Sequence, residues 1–192
     1  MECLYDAAEA GDLDRVMLLL EEGVNKNQVG GSYLDTPLSI AAENGHLLVV
    51  RYLVEQDADI QKVSNFDWTP LLNASRCGHF EVVRYLLEQG ADRDKADRYG
   101  YTSLHWAALH GDLEIAKLLM VYGADLNART NNGWFPIDVA TNEEIKQAIR
   151  DEPRRRMDHG HKRATEQDRH PNAVTSAVED DEDSEPSDEQ ND

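Results

Sequence analysis

The sequence has little that would mark a secreted disulfide protein or a membrane protein. It contains only two cysteines, Cys3 and Cys77, so no disulfide framework is predicted and a reducing compartment is expected. No stretch approaches the roughly 20 apolar residues that cross a bilayer. The N-terminal segment lacks the apolar run of a signal peptide. We therefore expect a protein of the cytoplasm, the nucleus or both, without a membrane segment.

Positive charge is also scarce. The formal net charge is −19; residues 1–152 carry 13 Lys and Arg against 26 Asp and Glu, and residues 153–192 carry 6 against 12. A field of this sign repels phosphate backbones, so nucleic acid is not an expected partner. The same field favours solubility and a basic protein partner.

Motifs for catalysis or cofactor binding are missing as well. Neither the dinucleotide-binding glycine pattern nor the phosphate-binding loop occurs. His159 and His161 have no further ligand at the spacing of a structural zinc site. Cys77 and His79 lack a third group that would orient a base for nucleophilic catalysis. We expect no enzyme activity, no metal and no cofactor.

What the sequence does contain is a 33-residue repeat. Thr-Pro-Leu at 36–38 recurs at 69–71, as Thr-Ser-Leu at 102–104 and as Phe-Pro-Ile at 135–137, and Gly45, Gly78 and Gly111 keep the same spacing. Thr suits the N-cap of a helix and Pro its first position, whereas Gly suits its C-terminal end. A second segment, such as HLLVVRYLVEQ at 46–56, has apolar residues at helical spacing. One such helix pair cannot bury its own apolar face, so we expect the units to stack.

With these positions in phase, the chain resembles the ankyrin repeat family over about residues 1–150. The best matches are TSLHWAALHGDLEIAKLLMVYGADLNARTNNG and TPLSIAAENGHLLVVRYLVEQDADI. The resemblance implies an all-α solenoid whose units each contribute a short helix, a longer helix behind it and a hairpin-like finger. We predict a repeat domain over 1–152, with approximate units 1–33, 34–66, 67–99, 100–132 and 133–152 and cap-like ends. Leu34 and Asp67 replace the turn glycine, which leaves the finger geometry of units two and three open.

Six of the 13 aromatic side chains fall in two registers along the predicted fingers. Two interpretations are open: each ring packs on the next finger and stiffens it, or the rings form a groove for a protein segment. Exposed aromatic side chains often act as anchors at interfaces. The resemblance implies further contacts from the residues that follow the small pair of each first helix. Leu109 and His110 would thus form a semi-apolar pocket with two of the rings, Tyr101 and Trp134. The predicted partner-binding residues are Tyr33, Phe66, Trp68, Tyr99, Tyr101, Trp134, Arg76, Leu109 and His110.

Beyond Pro153 the helical pattern is lost. Residues 153–178 form a basic, His-containing linker, and residues 179–192 carry nine acidic residues and no basic ones. Such compositions predict disorder. The basic cluster either resembles a two-part nuclear import signal or is a solvated linker attracted to acidic segments. Its members are Arg154, Arg155, Arg156, Lys162 and Arg163.

Two functions fit these observations. The first is a monomeric adaptor or regulatory subunit that grips a protein segment in the concave, aromatic-edged face of the stack. The alternative is an acidic, chaperone-like shield for a basic client such as a histone or ribosomal protein. The family resemblance also implies that Asn127, in GADLNA, could be a hydroxylation target.

Overall fold

The computed structural model describes residues 3–152, and these residues form helices joined by turns, with one isolated β-bridge between Gly30 and Asp35. The helices come in pairs, as the repeat predicts. The predicted linker, acidic tail and basic cluster lie outside the described residues. The pairs are α1 (Leu4–Ala10) and α2 (Leu13–Glu21), α3 (Pro37–Glu43) and α4 (Leu47–Glu55), α5 (Pro70–Arg76) and α6 (Phe80–Glu88), α7 (Ser103–His110) and α8 (Leu113–Val121), then α9 (Pro136–Val139) and α10 (143–152).

The described helices form two layers. The first helices of the units pack in chain order from α1 through α3, α5 and α7 to α9, and the second helices pack from α2 through α4 and α6 to α8. Helices of seven to nine residues are too short to be stable alone, so the stack depends on contacts between units. None of these helices combines the length and apolarity needed to cross a membrane. Equivalent positions of successive units fill the core, among them Leu38, Leu71 and Leu104, and Ala41, Ala74 and Ala107.

The predicted helix starts and ends are confirmed. The Thr36 hydroxyl accepts a hydrogen bond from the Ser39 amide at 3.0 Å, which satisfies a free donor of the first turn. Thr69 does the same for Leu72 at 3.2 Å. The glycines that end the first helices adopt left-handed backbone angles, with φ of 74° at Gly45, 80° at Gly78 and 81° at Gly111.

The finger geometry left open by Leu34 and Asp67 is retained. Both residues have positive φ, 56° and 60°, close to the 82° of Gly100 at the equivalent position of the next unit. Backbone hydrogen bonds also join neighbouring fingers at the register of the aromatic side chains, and they fix how far apart these side chains lie. The bonds run from Asn65 N to Tyr33 O at 3.0 Å, from Arg98 N to Phe66 O at 3.1 Å, and from Asn131 N to Tyr99 O at 2.9 Å.

We predict that Leu34→Gly stabilises the protein. A left-handed conformation costs a residue with a Cβ about 1–2 kcal/mol, while glycine loses more freedom on folding, so a gain of about 0.5–1 kcal/mol remains. Asp67→Gly is the matched control and should gain less, because Asp tolerates this region better. Urea unfolding followed by circular dichroism measures both. A loss of stability in Leu34→Gly would show that the exposed leucine side chain makes a contact worth more than the backbone strain.

Candidate functional site

The first aromatic register begins as a row of contacting rings on adjacent fingers. Tyr33 and Phe66 meet edge to face with ring centroids 5.4 Å apart, and Phe66 lies 5.9 Å from Trp68 in its own finger. Tyr33 remains 54% exposed. The row therefore runs from the finger of the second unit into that of the third and keeps a surface toward solvent.

A tryptophan that is not among the predicted partner-binding residues continues this row. Trp106, on α7, lies edge to face with Trp68 at 6.5 Å and against Tyr101 at 5.1 Å. On its other side it stacks on His110 at 5.9 Å and an interplanar angle of 23°. Trp106 thus joins the two fingers that carry Trp68 and Tyr101. We call the contacting side chains Tyr33, Phe66, Trp68, Tyr101, Trp106 and His110 the aromatic cluster.

Two predicted rings stay outside the aromatic cluster. Tyr99 and Trp134 are 54% and 51% exposed, and neither makes a ring–ring contact within residues 3–152. The backbone oxygen of Trp134 lies 3.1 Å from Nε2 of the buried His105. Burial lowers the pKa of His105, so the ring is held neutral in this contact. The pocket predicted in the fourth unit combined Tyr101, Leu109, His110 and Trp134. In the structure Tyr101 and His110 both contact Trp106, and Trp134 is not part of this contact.

The predicted contact Leu109 has a largely structural environment. Its side chain is half-buried and packs against the apolar core. His110, the next residue, is exposed and faces Trp106. Of these two neighbours, His110 therefore offers a partner the larger exposed surface.

The buried carboxylate of Asp97 holds Tyr101 and Trp106 in place. Asp97 is 5% exposed, and its Oδ1 accepts hydrogen bonds from the backbone amides of Tyr99 and Tyr101, each at 2.9 Å. Its Oδ2 accepts a third from the Trp106 indole Nε1 at 3.2 Å. One side chain thus fixes the finger backbone and the indole that packs beside it.

Guanidinium groups cover parts of the cluster. Arg76, a predicted contact, lies over the Trp68 ring at 4.7 Å and pairs with Glu43 of the preceding unit at 2.7 Å. Arg98 lies over the Phe66 ring at 4.4 Å. Such cation–π contacts are worth about 0.5–1 kcal/mol when exposed. Each arginine therefore links a ring to the neighbouring unit.

Polar residues occupy the positions equivalent to Trp68 and Trp106 in the preceding unit. Asp35 precedes Trp68 by 33 residues, and Asn73 precedes Trp106 by 33. Asp35 is 3% exposed and Asn73 is 0% exposed. Oδ1 of Asp35 and both amide atoms of Asn73 are buried and make no hydrogen bond of ordinary geometry to any residue from 3 to 152. We call Asp35, Glu43, Asn73 and Arg76 the polar site.

Within the described part of the chain, carboxylates outnumber cations at the polar site. Burial, and then the Glu43 carboxylate, raise the pKa of Asp35 from 3.8 to about 6, while the nearby Asn73 amide and Arg76 oppose the rise. Burial, together with the carboxylates of Glu9, Asp35, Glu43 and Asp6, also raises the pKa of Tyr5 to about 12. The phenol of α1 therefore faces the same concentration of negative charge.

The remaining chemical candidates are described by their surroundings. Burial raises the pKa of Cys77, which disfavours a reactive thiolate. Nε2 of its neighbour His79 lies 2.7 Å from the backbone oxygen of Glu43, so this ring links two units.

Asn127 is exposed in the turn after α8, and its backbone amide donates to Asp125. Hydroxylation of Asn127 stays a prediction. Within residues 3–152, no three His, Cys, Asp or Glu side chains cluster as metal ligands.

Paired helices stacked in two layers, with fingers joined by backbone hydrogen bonds, define a repeat protein whose units share one continuous surface. The chain belongs to the ankyrin repeat family, since the family model of ankyrin repeats (three copies) matches residues 1–64 and 58–130. The predicted family and fold class are thereby confirmed. Ankyrin repeats are in general protein–protein interaction modules.

One similar protein is a toxin. The chain is 49% identical over 57 residues to Alpha-latrotoxin-Lh1a of Latrodectus hasselti. The aligned segment is 30% of this chain and 4% of the toxin. The likeness thus concerns a short stretch of a far longer protein.

Proposed function

We propose that the protein is an adaptor or regulatory subunit that binds a segment of another protein along the aromatic cluster. The observation that carries the proposal is the continuity of this cluster. Rings from the fingers of units two, three and four, together with the α7 ring of Trp106, form one chain of contacts. Aromatic side chains with exposed area are the usual anchors of such interfaces.

The cluster is also held in place before any partner arrives. The fingers are joined by backbone hydrogen bonds, and Asp97 fixes both Tyr101 and Trp106. A surface that is already ordered loses little conformational freedom on binding, which favours affinity. The same order serves fold stability, which was the other interpretation of the rings. The two roles are compatible, and only a binding measurement separates them.

A second candidate function rests on charge. Residues 1–152 carry twice as many acidic as basic residues, 26 against 13, which favours a role as a shield for a basic client. Salt separates the two functions, because interactions between exposed charges are largely screened beyond about 10 Å at 0.1 M ionic strength. Binding led by charge should weaken steeply from low to high salt and on deletion of residues 179–192. Binding to the aromatic cluster should persist in both experiments.

We predict that the double variant Trp68→Ala/Tyr101→Ala folds and loses at least tenfold in affinity for its partner, since anchor residues at an interface each contribute about 2 kcal/mol or more. Affinity purification with the intact chain would supply the partner, and titration calorimetry would measure binding. Tyr122→Ala, which removes an exposed ring at the end of α8, is the control. Unchanged affinity in a folded double variant would refute the proposed function.

We further propose that the protein acts without catalysis of its own, as a monomer of the cytoplasm or the nucleus. The proposal rests on the family's general role in interaction and on the absence of catalytic motifs from the sequence. Gel filtration with light scattering tests the monomer, and imaging of a tagged full-length chain tests the compartment.

A further inference from the structure

We propose that the partner segment is extended and carries a lysine or arginine that binds at the polar site, with a large apolar side chain on the neighbouring Trp68–Trp106 contact. This inference rests on the proposed function and names the chemistry of its ligand.

Among residues 3–152, the polar site lacks one positive charge, because its two carboxylates, Asp35 and Glu43, face a single cation, Arg76. Charged and polar groups that are taken out of water cost free energy unless they are paired and hydrogen bonded. Yet Oδ1 of Asp35 and the Asn73 amide make no hydrogen bond of ordinary length and angle within the described residues, and the closeness of the Asn73 amide to the Asp35 carboxylate offsets its burial only in part. A second cation would balance the charge that the fold leaves uncompensated.

Arg76 shows which kind of group this surface accepts. Its guanidinium contacts the Glu43 carboxylate at 2.7 Å and covers the Trp68 ring at 4.7 Å. A carboxylate beside an indole face suits lysine and arginine side chains through an ion pair and a cation–π contact together. A partner's basic side chain would meet the same two kinds of group at this place.

Spacing then relates the two halves of the ligand. Asp35 and Asn73 stand one 33-residue unit before Trp68 and Trp106. Packed helices lie about 8–10 Å apart, and an extended chain rises about 3.3 Å per residue. The basic residue and the apolar residue of the segment should therefore be about three positions apart.

Access to the site is through Glu43 rather than Asp35. The side chains of Glu43 and Arg76 are 30% and 26% exposed, whereas Asp35 is 3% exposed. An incoming cation would contact Glu43 and would act on the buried Asp35 carboxylate only through its electric field. The exposed Glu43–Arg76 pair thus contacts the ligand, and the buried Asp35 adds to the negative charge of the site.

Selection from a phage-displayed library of random 12-residue peptides on the full-length chain tests the inference. We expect a consensus with Lys or Arg two to four positions from Trp, Phe or Leu. Peptides selected on the variant Asp35→Asn/Glu43→Gln should lack the basic residue of the consensus and keep the apolar one. Glu43→Gln alone is the second variant. Asp14→Asn/Glu21→Gln, which removes the same charge from exposed positions on α2, should select as the wild type does. The acidic tail is present in every variant, so it cannot cause a difference between them.

Fluorescence anisotropy of the best selected peptide then measures the coupling. We expect about a tenfold rise in Kd for Asp35→Asn/Glu43→Gln, for the peptide with its basic residue changed to Ala, and no more than this for both changes together. An apolar consensus without a basic residue, or unchanged affinity in the charge variant, overturns the inference and leaves the proposed function standing. If the selected peptides bind Trp68→Ala/Tyr101→Ala as tightly as the wild type, or if no consensus emerges, both fail.

Discussion

Asp35→Asn is expected to stabilise the protein by about 2 kcal/mol at pH 7.5. In the native protein the pKa of Asp35 is raised from 3.8 to about 6, mainly by burial and then by Glu43. A rise of this size corresponds to about 3 kcal/mol at most, and the buried amide of asparagine, which also needs hydrogen bonds, reduces the expected gain to about 2 kcal/mol. Asparagine has the same shape and no charge, so it removes the cost of an ionised carboxylate at this place.

The sign of the pH dependence follows from proton binding. Between about pH 4 and pH 6 the native carboxyl holds a proton that the unfolded one has lost, so stability falls as the pH rises through this window. Above about pH 7 both states are ionised and the dependence on Asp35 ends. The pKa of the buried His105 is lowered, and this contributes the opposite slope near its ordinary value. Since both chains keep His105, the difference between wild type and Asp35→Asn isolates Asp35.

Chemical unfolding at half-unit steps from pH 4 to pH 8 measures this difference. We expect it to grow from pH 4 to about pH 7 and then to stay level. Asp67→Asn, the same chemical change at an exposed finger turn, is the control. A pH-independent difference, or a destabilised Asp35→Asn, would show that the carboxylate is compensated in the native protein.

A stabilising Asp35→Asn would also bear on function. Residues that cost stability persist where they serve binding, and replacing them commonly raises stability and lowers activity. If the partner carries the proposed basic residue, Asp35→Asn gains stability and loses affinity. A gain in stability without loss of affinity would separate the cost of Asp35 from recognition.

Much of the fold follows from the sequence because each local signal repeats in the same order. Thr36 and Thr69 predict helix starts, and Gly45, Gly78 and Gly111 predict helix ends, at one spacing of 33 residues. The conformation of Leu34 was less predictable, since leucine rarely adopts positive φ. There the hydrogen bonds between fingers and the bonds within the turn override the local preference.

The site was less predictable than the fold because its contacts cross the registers. Trp106 stands at a helix position that Ile40 and Val139 fill with ordinary core residues, so the pattern favours burial in the core. Its neighbour Trp68 is 38 residues away, which a comparison at intervals of 33 does not test. Alignment of Asp35 with Trp68, and of Asn73 with Trp106, is the signal that could have revealed the adjoining polar and aromatic pairs.

Gly45→Ala is expected to destabilise the protein by about 3 kcal/mol. The residue has φ of 74°, which costs any residue with a Cβ about 1–2 kcal/mol. An added Cβ would also lie 2.5 Å from His79 Nδ1 and 2.9 Å from its Cγ. The base of the ring must therefore move, and its 2.7 Å contact with the Glu43 backbone oxygen between two units would be lost. Overpacking of this kind adds about 1–3 kcal/mol.

Gly78→Ala measures the cost of the backbone strain without a steric clash of the added Cβ. Its φ of 80° is similar, but the nearest atom to an added Cβ is Asp112 Oδ2 at 3.5 Å, an ordinary contact. This variant should lose only about 1 kcal/mol, because the strain is partly offset by the conformational freedom that glycine loses on folding. In a His79→Ala background the ring is absent, so the cost of Gly45→Ala should fall to that of Gly78→Ala, a coupling of about 2 kcal/mol. Equal costs for the two glycines in the presence of His79 would show that backbone strain alone governs the junction, and that the histidine adapts without loss.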